Sequence, residues 1–106
     1  MIQELEARAE KALNYLAETD KPHAELKARQ SRYQEMRKTI LAMGFESAQG
    51  AAEARRQAAH NTPEYLEHVK TQEQADIDFH TMDNHRRTAV VIIDLYRTVS
   101  ANQRRG

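Results

Sequence analysis

The chain contains no cysteine and no tryptophan, and only two prolines and three glycines among 106 residues. Without cysteine there is no disulfide, no thiolate metal site and no cysteine nucleophile. Scarce proline and glycine leave few points at which a helix must stop. There is no glycine-rich phosphate loop and no serine in a nucleophile elbow, so none of the usual catalytic motifs is supplied and no enzyme is expected. Long apolar runs are missing too: the longest, Ala89 to Ile93, is far short of a bilayer span, and the start Met1-Ile2-Gln3-Glu4 lacks a basic and then apolar leader. The expectation is a soluble protein of the cytoplasm with no membrane partner, no cofactor, no metal and no small-molecule substrate. Formal net charge is zero, which removes the simplest argument for a nucleic-acid binder.

What is present favours helix throughout. Alanine, glutamate, glutamine, arginine and lysine dominate, and 40% apolar content is modest for a self-sufficient core. Thr62-Pro63-Glu64 opens the stretch around which the rest is organised, with Thr62 as N-cap, Pro63 at the first helical position and Glu64 and Glu67 where the helix dipole favours acids. No proline or glycine follows until Gly106, so a single long helix is expected over about 63–101. Its Tyr65, Val69, Phe79, Met82, Ala89, Ile93 and Tyr96 fall approximately on one side.

Upstream, Ile2, Leu5, Ala9, Leu13 and Leu16 give a narrow amphipathic stripe over 2–18. Pro22, preceded by Thr19 and Asp20, marks a turn or a kink. Over 22–45 the residues Leu26, Arg29, Tyr33, Met36, Ile40 and Met43 alternate at three and four, a heptad seam. A connection follows over 46–62, with room for a short alanine-rich helix over 51–59, and residues 102–106 read as a basic tail. The expected architecture is all-α: a single domain over 1–106 forming a long antiparallel, coiled-coil-like helical hairpin, a kinked helix over about 2–45 against the long one.

Charge blocks select the pairing. Residues 1–20 carry −3, 21–46 carry +3, 63–83 carry −5 and 84–106 carry +4. Antiparallel pairing sets 22–45 against 63–86 and 2–18 against the distal half, opposite signs in both cases; folding back at Pro22 would set acid beside acid. Surface pairs contribute less than about 1 kcal/mol each, so this fixes register more than stability. In Ala89-Val90-Val91-Ile92-Ile93-Asp94-Leu95-Tyr96 the apolar side chains point nearly all round the axis, more than one neighbouring helix can cover. A third helix of the same chain or a second copy would supply the cover; a second copy is favoured, with Val90, Ile93 and Tyr96 as the dimer interface.

Asp76, His80 and Asp83 share a helical face with metal-ligand spacing, and His60, Glu64 and His68 form a second such set. A single helix seldom completes a metal site and the facing segment is mostly basic, so an acidic face paired with a basic neighbour is the simpler reading. Arg86, Arg87, Arg97, Arg104 and Arg105 form the strongest candidate surface, able to contact phosphate or an acidic partner, with Tyr96 able to stack on a base.

The run Arg86-Arg87-Thr88-Ala89-Val90-Val91-Ile92-Ile93-Asp94-Leu95-Tyr96-Arg97, followed by Ser100-Ala101-Asn102-Gln103-Arg104-Arg105-Gly106, resembles the close of a group of short phage and prophage helical, coiled-coil early proteins. Tyr15-Leu16-Ala17-Glu18-Thr19-Asp20 and Pro63-Glu64-Tyr65 are similar as well, and Tyr96 stands where the group often has tryptophan. The resemblance implies an accessory role around DNA recombination or replication in a bacterial host, with nucleic acid or a DNA-processing protein as partner. Two other roles are compatible with the residues: a small inhibitor of a host defence complex that uses the acidic face from Glu64 to Asp83 as a nucleic-acid mimic, and a structural coiled-coil adaptor.

Overall fold

A computed structural model describes residues 1–105, and Gly106, the end of the expected basic tail, lies outside the described residues. The chain is all-helical: α1 spans Ile2–Ser47, α2 spans Ala52–Ala59 and α3 spans Pro63–Arg105. No strand occurs among the described residues.

Helix α1 continues through Pro22, so the chain does not turn back there. The proline ring removes one i to i−4 bond, from its own nitrogen to the Glu18 carbonyl, and the flanking residues hold the helix. Thr19 does not cap a new helix. Its hydroxyl donates to the Tyr15 carbonyl at 2.6 Å. The expected start of α3 is observed: Thr62 Oγ1 accepts from the Tyr65 amide at 3.1 Å, the N-cap bond to the third helical position. Helix α3 runs past the expected end, so residues 102–105 are its last turn and not a tail. Between α1 and α2 the backbone reverses at Gly50, whose φ of 109° lies in the region that a side chain disfavours.

The chain forms two compact units, each built on an antiparallel pairing of α1 with α3. In the unit of residues 1–24 and 80–105, Ala12, Ala89 and Ile93 form a buried cluster, with Tyr15, Leu16 and Ile92 packed against it. Arg86 reaches the Leu16 carbonyl and His23 reaches Asp83, which fixes the antiparallel direction. In the unit of residues 25–79, Arg29 pairs with Asp78, Gln30 with Asp76 and Arg37 with Tyr65, again antiparallel. Both pairings match the opposite-sign register expected from the charge blocks.

The seam of α1 follows the expected one at Leu26, Arg29, Tyr33 and Ile40 and departs from it at Met36 and Met43. Leu26, Gln30, Tyr33, Ile40 and Gly44 are half-buried, whereas Met36 is exposed and Met43 is 62% exposed. Likewise Ala12 is buried and Leu13 half-exposed. Small size explains both. A Cβ on Gly44 would come within 3.1 Å of Ala59 Cα, so the glycine lets α2 lie directly on α1, and methionine has no room there. In the other unit Ala12 and Ala89 allow the helices to approach closely, while leucine at position 13 stays outside.

Candidate functional site

Of the acidic residues singled out from the sequence, Asp76 and Asp83 are engaged in helix pairing, as is Asp78 between them. Asp76 accepts from Gln30 Nε2 at 2.9 Å. Asp78 accepts from Gln74 at 2.8 Å and Arg29 at 3.0 Å, and these bonds hold its carboxyl below the usual carboxylate range. Asp83 accepts from His23 Nε2 at 3.0 Å and Arg87 Nε at 2.9 Å, and its carboxyl is lowered chiefly by the histidine bond and further by the arginine charge. Among the described residues no group of three or more His, Cys, Asp or Glu is placed to hold a metal ion. The second set is also dispersed: His60 Nδ1 donates to the Arg56 carbonyl at 2.8 Å, Glu64 is exposed, and His68 is buried edge-on to Tyr33.

The five arginines divide into two kinds. Arg86 is committed to α1: its guanidinium donates to the Leu16 carbonyl at 2.9 Å, Thr19 Oγ1 at 2.8 Å and Asp20 at 3.3 Å. Arg87 is exposed but bonded to Asp83. Arg97 makes only a loose pair with Asp94, at 3.8 Å between two exposed side chains. Arg104 and Arg105 are exposed in the last turn of α3 and form no ion pair among the described residues. Their position at a helix C-terminus is favourable for the dipole, and their donors remain available.

The residues expected to carry self-association also divide. Ile93 is only 7% exposed and belongs to the core of its unit, and Tyr96 is half-buried, whereas Val90 is half-exposed. The exposed apolar surface of this stretch comprises Val90 (46%), Val91 (64%) and Leu95 (50%). Beside them a groove of about 410 Å³ is lined by Arg8, Lys11, Ala12 and Tyr15 from α1 and His85, Thr88, Ala89 and Ile92 from α3. Arg8 and Lys11 escaped the sequence reading, because on a charged helix nothing distinguishes two solvated cations from two that border an apolar floor. The all-round apolar character of residues 89–96 was the signal that pointed to this region.

No helix among the described residues is long and apolar enough to cross a membrane. No protein-family model, curated protein or solved structure matches this chain.

Proposed function

We propose that this chain is a non-enzymatic interaction protein that pairs with a second copy and binds nucleic acid, or a DNA-processing protein, through the basic end of α3. The phage-derived accessory role in recombination or replication, within the cytoplasm of a bacterial host, is carried by the resemblance of residues 86–97 and 100–106. One observation carries the surface assignment: Arg104 and Arg105 are exposed and unpaired among the described residues, with the loosely held Arg97 two turns before them. Arg86 and Arg87 support the helix pairing behind that surface, and Arg87 is open enough to contribute when its bond to Asp83 exchanges.

Phosphate contact by about three arginines on a single strand gives a log–log salt slope near −2. Fluorescence anisotropy with labelled single- and double-stranded oligonucleotides over a salt series tests this, using the wild type and the R104A/R105A double variant. Binding that survives neutralisation of both arginines, or no binding to either form, removes the assignment.

The acidic-face reading as a nucleic-acid mimic has weaker support. Asp76, Asp78 and Asp83 are engaged by Gln30, Arg29 and His23, leaving mainly Glu64, Glu67 and Glu73 to present charge outward.

A further inference from the structure

Two exposed features of the chain are complementary in charge and apolar character. The first is the groove in the unit of residues 1–24 and 80–105. Its floor is apolar, made by Tyr15, Ala89 and Ile92, and exposed Leu95 lies three residues beyond Ile92 on the same side of α3. Thr88, Ile92, Leu95 and Val99 follow one another at intervals of four, three and four, so they share a helix face distinct from the one that Ala89 and Ile93 bury. Arg8 and Lys11 stand on its rim, both exposed and neither in an ion pair among the described residues. No carboxylate lines it.

The second feature is the outer face of α3 in the unit of residues 25–79. Leu66, Lys70, Glu73 and Ile77 recur at intervals of four, three and four, on the side away from buried Tyr65, His68 and Ala75. Leu66 and Ile77 are half-exposed, large apolar side chains. Glu67 and Glu73 are exposed beside them, and neither forms an ion pair among the described residues. Lys70 is the one cation on this stretch.

The geometry points to these two faces as the two halves of one contact between copies: the Leu66–Ile77 face of α3 in one molecule seats on the Tyr15/Ile92/Leu95 groove of the other. Glu67 and Glu73 then meet Arg8 and Lys11. This rests on the reading that the chain pairs with itself, and it is independent of the nucleic-acid reading. Exposed leucine and isoleucine flanked by acids match an apolar floor flanked by cations, the helix-in-groove mode of recognition. A polynucleotide would satisfy the two cations but leave the aliphatic floor without a partner of its own kind. The contact joins different surfaces of the two molecules, one from each unit.

Two charge-swap variants test it in nucleic-acid-free protein: R8E/K11E, which makes the groove acidic, and E67K/E73K, which makes the helix face basic. All four positions are exposed and none makes an ion pair among the described residues, so far-UV circular dichroism should report unchanged helix in both. Sedimentation equilibrium over a concentration series is expected to show wild-type self-association. Each variant alone should dissociate about tenfold more readily, because like charges then face each other. An equimolar mixture should recover wild-type association, because every groove meets an oppositely charged face on the other variant. A monomeric wild type up to its solubility limit overturns both self-pairing and this surface. Wild-type association that persists in each variant alone, or fails to recover in the mixture, overturns the surface and leaves self-pairing standing.

Discussion

His23 Nε2 and Asp83 Oδ1 lie 3.0 Å apart across the α1/α3 seam, and Arg87 Nε holds the other carboxylate oxygen at 2.9 Å. An ionised carboxylate only accepts, so His23 must carry its proton on Nε2. The bond from His23 and the charge of Arg87 lower the Asp83 pKa relative to the unfolded chain. A depressed carboxyl stabilises the fold at pH values above its unfolded pKa of about 4, and that contribution is withdrawn as pH falls through the lower folded value. Asp78, lowered by Gln74 and Arg29, acts in the same direction. Urea midpoints should therefore be flat above about pH 5 and fall towards about pH 3. Asp83→Asn should lower the midpoint at neutral pH and make the acid limb shallower. An acid limb identical to the wild type would remove Asp83 from this account.

Arg86 and the terminal arginines should separate cleanly by variant. Arg86 gives three hydrogen bonds to α1 with its side chain mostly buried. Arg86→Ala should cost about 2–3 kcal/mol of unfolding free energy, and Arg86→Lys should recover little, because a single ammonium cannot reproduce the planar fork. R104A/R105A should stay within about 0.5 kcal/mol of the wild type. Equal destabilisation by the two changes would contradict the division between structural and available arginines.

Gly44 is the tightest point between α1 and α2. Alanine there gains about 1 kcal/mol of helix propensity but brings its Cβ within 3.1 Å of Ala59 Cα and 3.3 Å of Thr62 Cγ2. Ala59 is buried and belongs to a short helix, so its backbone yields only by moving α2. Gly44→Ala should be close to neutral and Gly44→Val destabilising by about 1–3 kcal/mol, from overpacking and β-branching together. Thermal melts compare the two directly. A valine variant as stable as the alanine one would show that α2 does not rest on α1 at this point.

His68 is 5% exposed, and its Nε2 finds no hydrogen-bond partner among the described residues. Its ring stands edge-on to Tyr33 at 6.1 Å. Phenylalanine keeps that aromatic edge and removes the buried polar atom, whose desolvation costs about 1–3 kcal/mol. His68→Phe should raise the melting temperature. A drop would mean that the nitrogen is satisfied in solution or that the larger ring does not fit.

The class of fold was legible in the sequence for reasons these residues make plain. The cap at Thr62, the lack of breakers after Pro63 and the opposed charge blocks all bear on the backbone or on long-range register, and each is visible without knowing which side chains are buried. The seam was harder to read. It is built of alanine, glycine and polar residues such as Gln30, Thr19, His68 and Arg86 as much as of large apolar ones, so hydrophobicity picked out Met36, Met43, Leu13 and Val69, which are exposed. In a pair of closely approaching helices, small size marks the inside better than apolarity does. The same holds for the apolar stretch of α3: Ile93 is buried, while Val90, Val91 and Leu95 are exposed. Arg86 could not be told from Arg104 by sequence, because only the position of Leu16, Thr19 and Asp20 on the opposite helix commits it.

The apolar stretch of α3 yields a contrast between neighbours two residues apart. Ile93 packs with Ala12 and Ala89 and is almost fully buried, whereas Val91 projects into solvent. Ile93→Ala removes buried methylenes from a core too thin to close over the gap, and should cost about 2–4 kcal/mol. Val91→Asp should leave unfolding free energy within about 0.5 kcal/mol of the wild type, since an exposed position loses no packing. Its effect should fall on self-association instead, because a carboxylate beside the Leu95 end of the groove disfavours an apolar, acid-flanked helix. Denaturant unfolding run beside sedimentation on both variants separates the outcomes. If Val91→Asp destabilised the fold as much as Ile93→Ala, residues 89–96 would be buried within one molecule and no face there would remain for a second copy.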